Sequence, residues 1–289
     1  MTKRKDLLAV VTLLLLCVTA IPGIMSIDFS HAYSFLNQYG QSVAIYGYGI
    51  YAFDSYFKAP ISIGTDFCIL FVLVPMFLYT YIQYRKSNDS LAELKMISVY
   101  SVALYYAASI VFGVTYNRLF LAYVVLFSCS IFGMFMHIKK IKWSQTIQVT
   151  KGLIVFLILS GTALFAAWLP DIIPTLLHGG TLSLIEVYTT EITYVLDMGI
   201  IGPLCFVCLH LLVKKQSLGT MLLAILLKAC IVVGIMMIPQ TVLQVVSGVE
   251  IQMPVLVSKS LSFVLLGGFA LFFNIKMYKE LSNEITKEK

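Results

Sequence analysis

The chain has 289 residues, of which about 60% are hydrophobic and 12% charged, with a net charge of +6. An ordinary soluble domain carries roughly 25% charged residues, so a water-soluble fold of this length could not cover its core with so few. The apolar residues come in long runs, not amphipathic stripes, and lack the ten-residue alternation of a transmembrane β-barrel.

About 20 apolar residues at 1.5 Å rise cross the hydrocarbon core of a bilayer. The runs predict an all-α fold, a polytopic transmembrane helical bundle of eight spans forming one integral membrane domain over 1–289. The spans fall near 7–25, 61–84, 96–116, 119–137, 153–169, 192–213, 218–243 and 255–276. The first run, after "MTKRK", also fits the basic and apolar regions of a signal peptide. "IPGIMS" offers no clean cleavage site, so an uncleaved first helix is favoured.

Orientation follows from the lysines and arginines. With a cytoplasmic N-terminus, the inside segments collect Lys3, Arg4, Lys5, Arg85, Lys86, Lys139, Lys140, Lys142 and Lys151. Lys214, Lys215, Lys276, Lys279, Lys287 and Lys289 join them, while Lys58 and Arg118 alone fall outside. This asymmetry predicts both termini in the cytoplasm. It also accounts for the positive charge without a nucleic-acid partner.

Two outer segments are long, 26–60 and 170–191. The first is aromatic ("FSHAYSFLNQYG", "YGYGIYAFDSYF"), which suits the membrane–water boundary. The second leaves room for one short interfacial helix before the sixth span. Each leads into a span with an aspartate near its outer end and a proline below, Asp66 with Pro75 and Asp197 with Pro203. Each of those spans ends in a basic pair and a Ser-Leu turn. A 4+4 parallel repeat would explain the correspondence. Hairpins with basic turns also recur under the positive-inside bias alone, and that alternative stays open.

Charges within spans cost roughly 2.5–3.5 kcal/mol each to insert, and mark functional sites by default. Asp66, Asp197 and Lys259 are placed at similar depths below the outer surface, with Lys228 nearer the middle of its span. Two acids and two bases equally suit buried ion pairs that only hold the bundle together. Asp197 with Lys259 is the best depth match. Helix breaks flank these charges: Pro75, then Gly199, Gly202 and Pro203, then Pro239 beside Gln240. A proline removes one helical hydrogen bond, and the freed carbonyl must face protein or water, not lipid.

Cys17, Cys68, Cys129, Cys205, Cys208 and Cys230 all fall inside spans and read as small apolar helix residues. "CFVCLH" has a ligand-like spacing, but it lies in the inner half of a helix rather than at its N-terminus and lacks a full zinc set. No metal site or cofactor is implied. HExxH, GxSxG and Walker patterns are missing. "SKSLS" places Lys259 and Ser262 on one face, the weakest of the catalytic possibilities. Gly267 and Gly268 suggest close helix packing.

The blocks "VYTTEITYVLDMGIIGPLCF" and "LVKKQSLGTMLLAILLKACIVVGIMMIPQ" resemble a pattern in a family of bacterial multi-pass membrane proteins without assigned function. The resemblance covers roughly 186–240 and implies one constellation of Glu191, Asp197, Gly199, Pro203, Lys228 and Gln240. It implies a bacterial cytoplasmic membrane as the location, and no activity.

The sequence thus points first to a transporter-like or small-ligand-binding membrane protein. Its charged site would lie in the outer half of the bundle, from Asp66, Asp197, Lys228 and Lys259, with Glu191 and Gln240 at the mouth. The bilayer is one partner and a small polar or charged ligand another. The alternative is a non-catalytic membrane subunit or sensor that binds a protein partner, or a second copy of itself, through its outer loops. An intramembrane enzyme comes third.

Overall fold

A computed structural model describes residues 6–87, 89–182, 184–249 and 253–287. Among these residues, eight helices are long and apolar enough to cross a membrane. They are α1 (Leu7–Ile24), α2 (Lys58–Lys86), α3 (Ser90–Gly113), α4 (Phe120–Lys140), α5 (Lys151–His178), α6 (Ile192–Val213), α7 (Ser217–Val246) and α8 (Met253–Lys287). A short antiparallel hairpin, β1 (Tyr33–Leu36) and β2 (Ser42–Ile45), lies between α1 and α2.

The ends differ from the sequence reading where local chemistry extends a helix. Asp89 caps α3 by accepting from the Ala92 N–H at 2.8 Å, so this span starts at Ser90. α5 runs through Pro170 and Pro174 to His178, past the predicted end at 169. Each proline removes one hydrogen bond near the helix end without stopping it. α8 continues beyond 276 because Met277 and Leu281 still bury against the core.

α2 and α6 share one irregularity. Each contains a single π turn, over Ile69–Leu73 and Asp197–Ile201. Each turn is followed at once by a proline, Pro75 or Pro203, early in the resumed helix. The wider π turn absorbs the bond the proline cannot make.

α7 is the central helix and packs against α2, α3, α6 and α8. α1 packs against α2 and α4, and α5 against α6 and α8. Close approaches need residues without side chains. A Cβ on Gly64 would meet the backbone of Pro239 and Gln240, and one on Gly234 would lie 2.8 Å from the Gly267 Cα. Gly267 therefore serves the packing expected of it, while nothing lies within 4 Å of a Cβ at Gly268.

At one end of the bundle the hairpin and the 179–191 segment close over the helices. This is the hairpin end, and the opposite end carries the basic turns. Tyr46, Tyr51, Ala59 and Ile63 form a small buried core there. Asn37 holds the hairpin turn by accepting from the Tyr39 and Gln41 N–H groups, and its Nδ2 donates to the Glu186 carbonyl at 2.9 Å. The aromatic segment is therefore a folded cap tied to the second long segment, not only an interfacial stretch.

Candidate functional site

Asp66 and Asp197 are both buried, in the half of the bundle nearest the hairpin. Asp66 accepts from the Tyr51 hydroxyl at 2.6 Å and the Tyr106 hydroxyl at 2.7 Å. Asp197, the first residue of its π turn, accepts from the Tyr105 hydroxyl at 2.8 Å and Trp168 Nε1 at 3.0 Å. Both carboxylates are thus held by neutral donors.

Tyr105 and Tyr106 are consecutive on α3, so their side chains diverge by about 100°. Asp66 sits among α1, α2 and α3, while Asp197 sits among α3, α5 and α6. The structure therefore does not gather the predicted residues into one constellation. Lys228 has Lys95 as its charged neighbour, and among the described residues no carboxylate pairs with it. The expected Asp197–Lys259 pair rests on a side chain outside the described residues. Gln240 donates to Thr65 Oγ1 at 2.7 Å across the α2–α7 contact. Glu191 forms an ion pair with Lys58, and Lys58 also lies 4.0 Å above the Tyr188 ring.

The predicted breaks have distinct jobs. Gly202 accommodates Phe165 of α5, 2.9 Å from where its Cβ would stand. Around Gly199 there is open space. That space belongs to a groove of about 520 Å³ between α5 and α6, lined by Leu176, Leu182, Glu191, Tyr194, Met198 and Gly199 among others.

Sequence reasoning missed two buried polar clusters. In the cap, Asp54 accepts from the Thr115 N–H at 3.0 Å, the Thr115 hydroxyl at 2.9 Å and the Tyr188 hydroxyl at 2.8 Å. Burial pushes its carboxyl up to about 6 despite these donors and nearby Lys58. Burial likewise raises the Glu186 carboxyl, against Ser55 and Lys58. At the basic end, fully buried His137 bridges two carboxylates, Nδ1 to Glu93 and Nε2 to Asp6 at 2.8 Å. Burial raises the Asp6 carboxyl, but His137, the Ala9 N–H and Lys140 outweigh it and hold it below the usual value. The legible signal was Asp6 as an N-cap before an apolar run, with His137 one turn from a basic pair. Their meeting required the α1–α4 and α3–α4 contacts.

Cys205 and Cys208 are buried, whereas His210 of the same motif is exposed, so the three do not converge.

These features define a multi-pass α-helical membrane protein in which, among the described residues, two buried aspartates in one half of the bundle are held by hydroxyl and indole donors. Compared with family models, curated proteins and solved structures, the chain matches none.

Proposed function

We propose that the protein is a transporter-like, small-ligand-binding protein of a bacterial cytoplasmic membrane, working from the half of the bundle beneath the hairpin. One observation carries this reading. Two aspartates are kept inside apolar spans on hydroxyl and indole donors, without a lysine described on either. A purely structural role calls for compensating cations, because a bare buried carboxylate is costly. Asp66 and Asp197 are the groups that would exchange a proton or meet a polar ligand, with the groove beside Gly199 as the approach to Asp197.

In this reading both termini are cytoplasmic, because basic residues collect at the end away from the hairpin. The bundle is also a 4+4 parallel repeat. The two π turns and the two prolines are offset by the same 128 residues. The packing pairs correspond as well, α1–α2 to α5–α6 and α1–α4 to α5–α8. The aspartates are not at equivalent positions in that repeat. Asp66 precedes its π turn by one helical turn, while Asp197 opens its own.

The test is water access. Ile201→Cys lies one turn beyond Asp197 in a chain whose native cysteines are replaced. Vesicles of both orientations are treated with a membrane-impermeant thiol reagent. Labelling from the hairpin side is expected, and protection from both sides would overturn the proposal.

A second reading, a subunit or sensor that docks a protein through its cap, is favoured by Tyr33, Phe35, Leu36 and Tyr39, all exposed on the hairpin. Charged substitutions at Phe35 and Leu36 that abolish copurification of a partner, with labelling at 201 absent, would select it.

A further inference from the structure

The groove beside Gly199 breaks the likeness between the two halves of the bundle. In the first half the corresponding place is sealed. α1 meets α2 so closely at Gly23 that a Cβ there would fall on the Asp66 carboxylate. In the second half α5 and α6 stand apart at the hairpin end, and the groove fills the gap.

Three features of the groove specify an occupant. Its mouth is apolar, with Leu176 77% and Val195 51% exposed, on the outer flanks of two helices long and apolar enough to cross a membrane. A molecule reaching it from there is one already dissolved in the bilayer. Its floor is the π turn, where Gly199 has no side chain and nothing lies within 4 Å of where its Cβ would stand, and such turns are frequent at functional sites. Its rim is polar, acidic and aromatic. Thr190, Glu191 and Tyr194 line it, and Asp171 stands behind Tyr194, accepting from its hydroxyl at 2.9 Å. Tyr194 stacks on Trp168 at 4.7 Å between centroids, an aromatic pair suited to a cation. Glu191, Asp171 and nearby Glu186 outnumber Lys58.

We infer that the groove binds a cationic amphiphile from the bilayer, its ammonium head at the Glu191–Tyr194 rim and its apolar tail between α5 and α6. This names the ligand class of the proposed site and rests on that reading. A volume of about 520 Å³ suits the head and part of one chain. An anionic head would face the acidic rim, which selects against fatty acids.

Trp168 reports on the groove through its stacking on Tyr194. The chain has two tryptophans, and the Trp143 indole has no hydrogen-bond partner among the described residues, so Trp143→Phe leaves Trp168 as the sole reporter with little disturbance. The full-length protein is placed in phosphatidylcholine vesicles with 9,10-dibromostearylamine or 9,10-dibromostearic acid at equal mole fractions. The bromines are the same in both, and only the head differs. Quenching of Trp168 by the amine is expected to saturate and to exceed that by the acid. Gly199→Phe, which fills the groove floor, is expected to abolish the difference with helical content unchanged. Val195→Phe at the exposed mouth repeats the test if that variant does not fold. Equal quenching by the two amphiphiles, or an amine excess that survives both substitutions, overturns the inference. Thiol labelling at 201 reads water near Asp197 independently, so the two proposals fail separately.

Discussion

Tyr106 donates a 2.7 Å hydrogen bond to Oδ1 of Asp66, and its hydroxyl lies 3.3 Å from that of Thr19. One phenol thus ties α1, α2 and α3 together around a carboxylate buried within the spans. The other Asp66 oxygen is held from the cap by Tyr51. The site and the folded cap are therefore one hydrogen-bonded unit.

Tyr106→Phe removes one of the two donors to Asp66 and leaves a buried acceptor unsatisfied. Losing such a partner costs about 1–3 kcal/mol. A lower thermal midpoint in detergent is expected, and Asp66→Asn in the same background should recover part of it. An unchanged midpoint for Tyr106→Phe would show that this bond contributes nothing.

Gly23→Ala and Gly199→Ala make a paired comparison. At Gly23 the new Cβ lands on the Asp66 carboxylate, whereas at Gly199 it meets nothing within 4 Å. Overpacking of the first kind costs about 1–3 kcal/mol. Gly23→Ala is expected to lower the midpoint and Gly199→Ala to leave it in place or raise it slightly. Equal midpoints would contradict the packing of α1 on α2.

Asp54 sets a pH dependence for the cap. Its folded value is about 6, above the usual 3.8, because burial outweighs Thr115, Tyr188 and Lys58. The folded protein therefore holds this proton more tightly than the unfolded chain. The stability it contributes is complete below about pH 4 and is lost as pH rises through about 6, at a slope of at most ~1.4 kcal/mol per pH unit. Glu186 titrates in the same direction beside it. Hydrogen exchange of the 42–56 backbone, corrected for intrinsic rates, should speed up across that window. Asp54→Asn should flatten the dependence, and a profile unchanged by that substitution would refute the assignment.

His137→Phe leaves Asp6 and Glu93 buried without the ring that bridges them. Removing one partner from a buried charged cluster costs about 3–5 kcal/mol. His137→Phe should lower the unfolding midpoint more than any other substitution above. The triple change with Asp6→Asn and Glu93→Gln should restore part of it, and no recovery would mean that the ring's packing, not its charge, matters there.

The sequence by itself determined the eight helices. A span must satisfy its own backbone and present apolar side chains over about 20 residues, and both conditions are local. Asp66, Asp197, Pro75 and Pro203 were legible for the same reason, as costly exceptions inside long apolar runs. The partners of those residues were not legible. Whether Asp197 meets a lysine or the Tyr105–Trp168 pair depends on how α3, α5 and α6 are rotated against one another. Hydropathy is blind to that, since tyrosine, tryptophan and leucine all pass as span residues. The hairpin escaped because its aromatic residues suit an interface as well as a strand. The Asp6–His137–Glu93 cluster exists only through contacts between helices far apart in the chain, and the groove at Gly199 only through how α5 and its successor α6 stand against each other, so tertiary packing decided both.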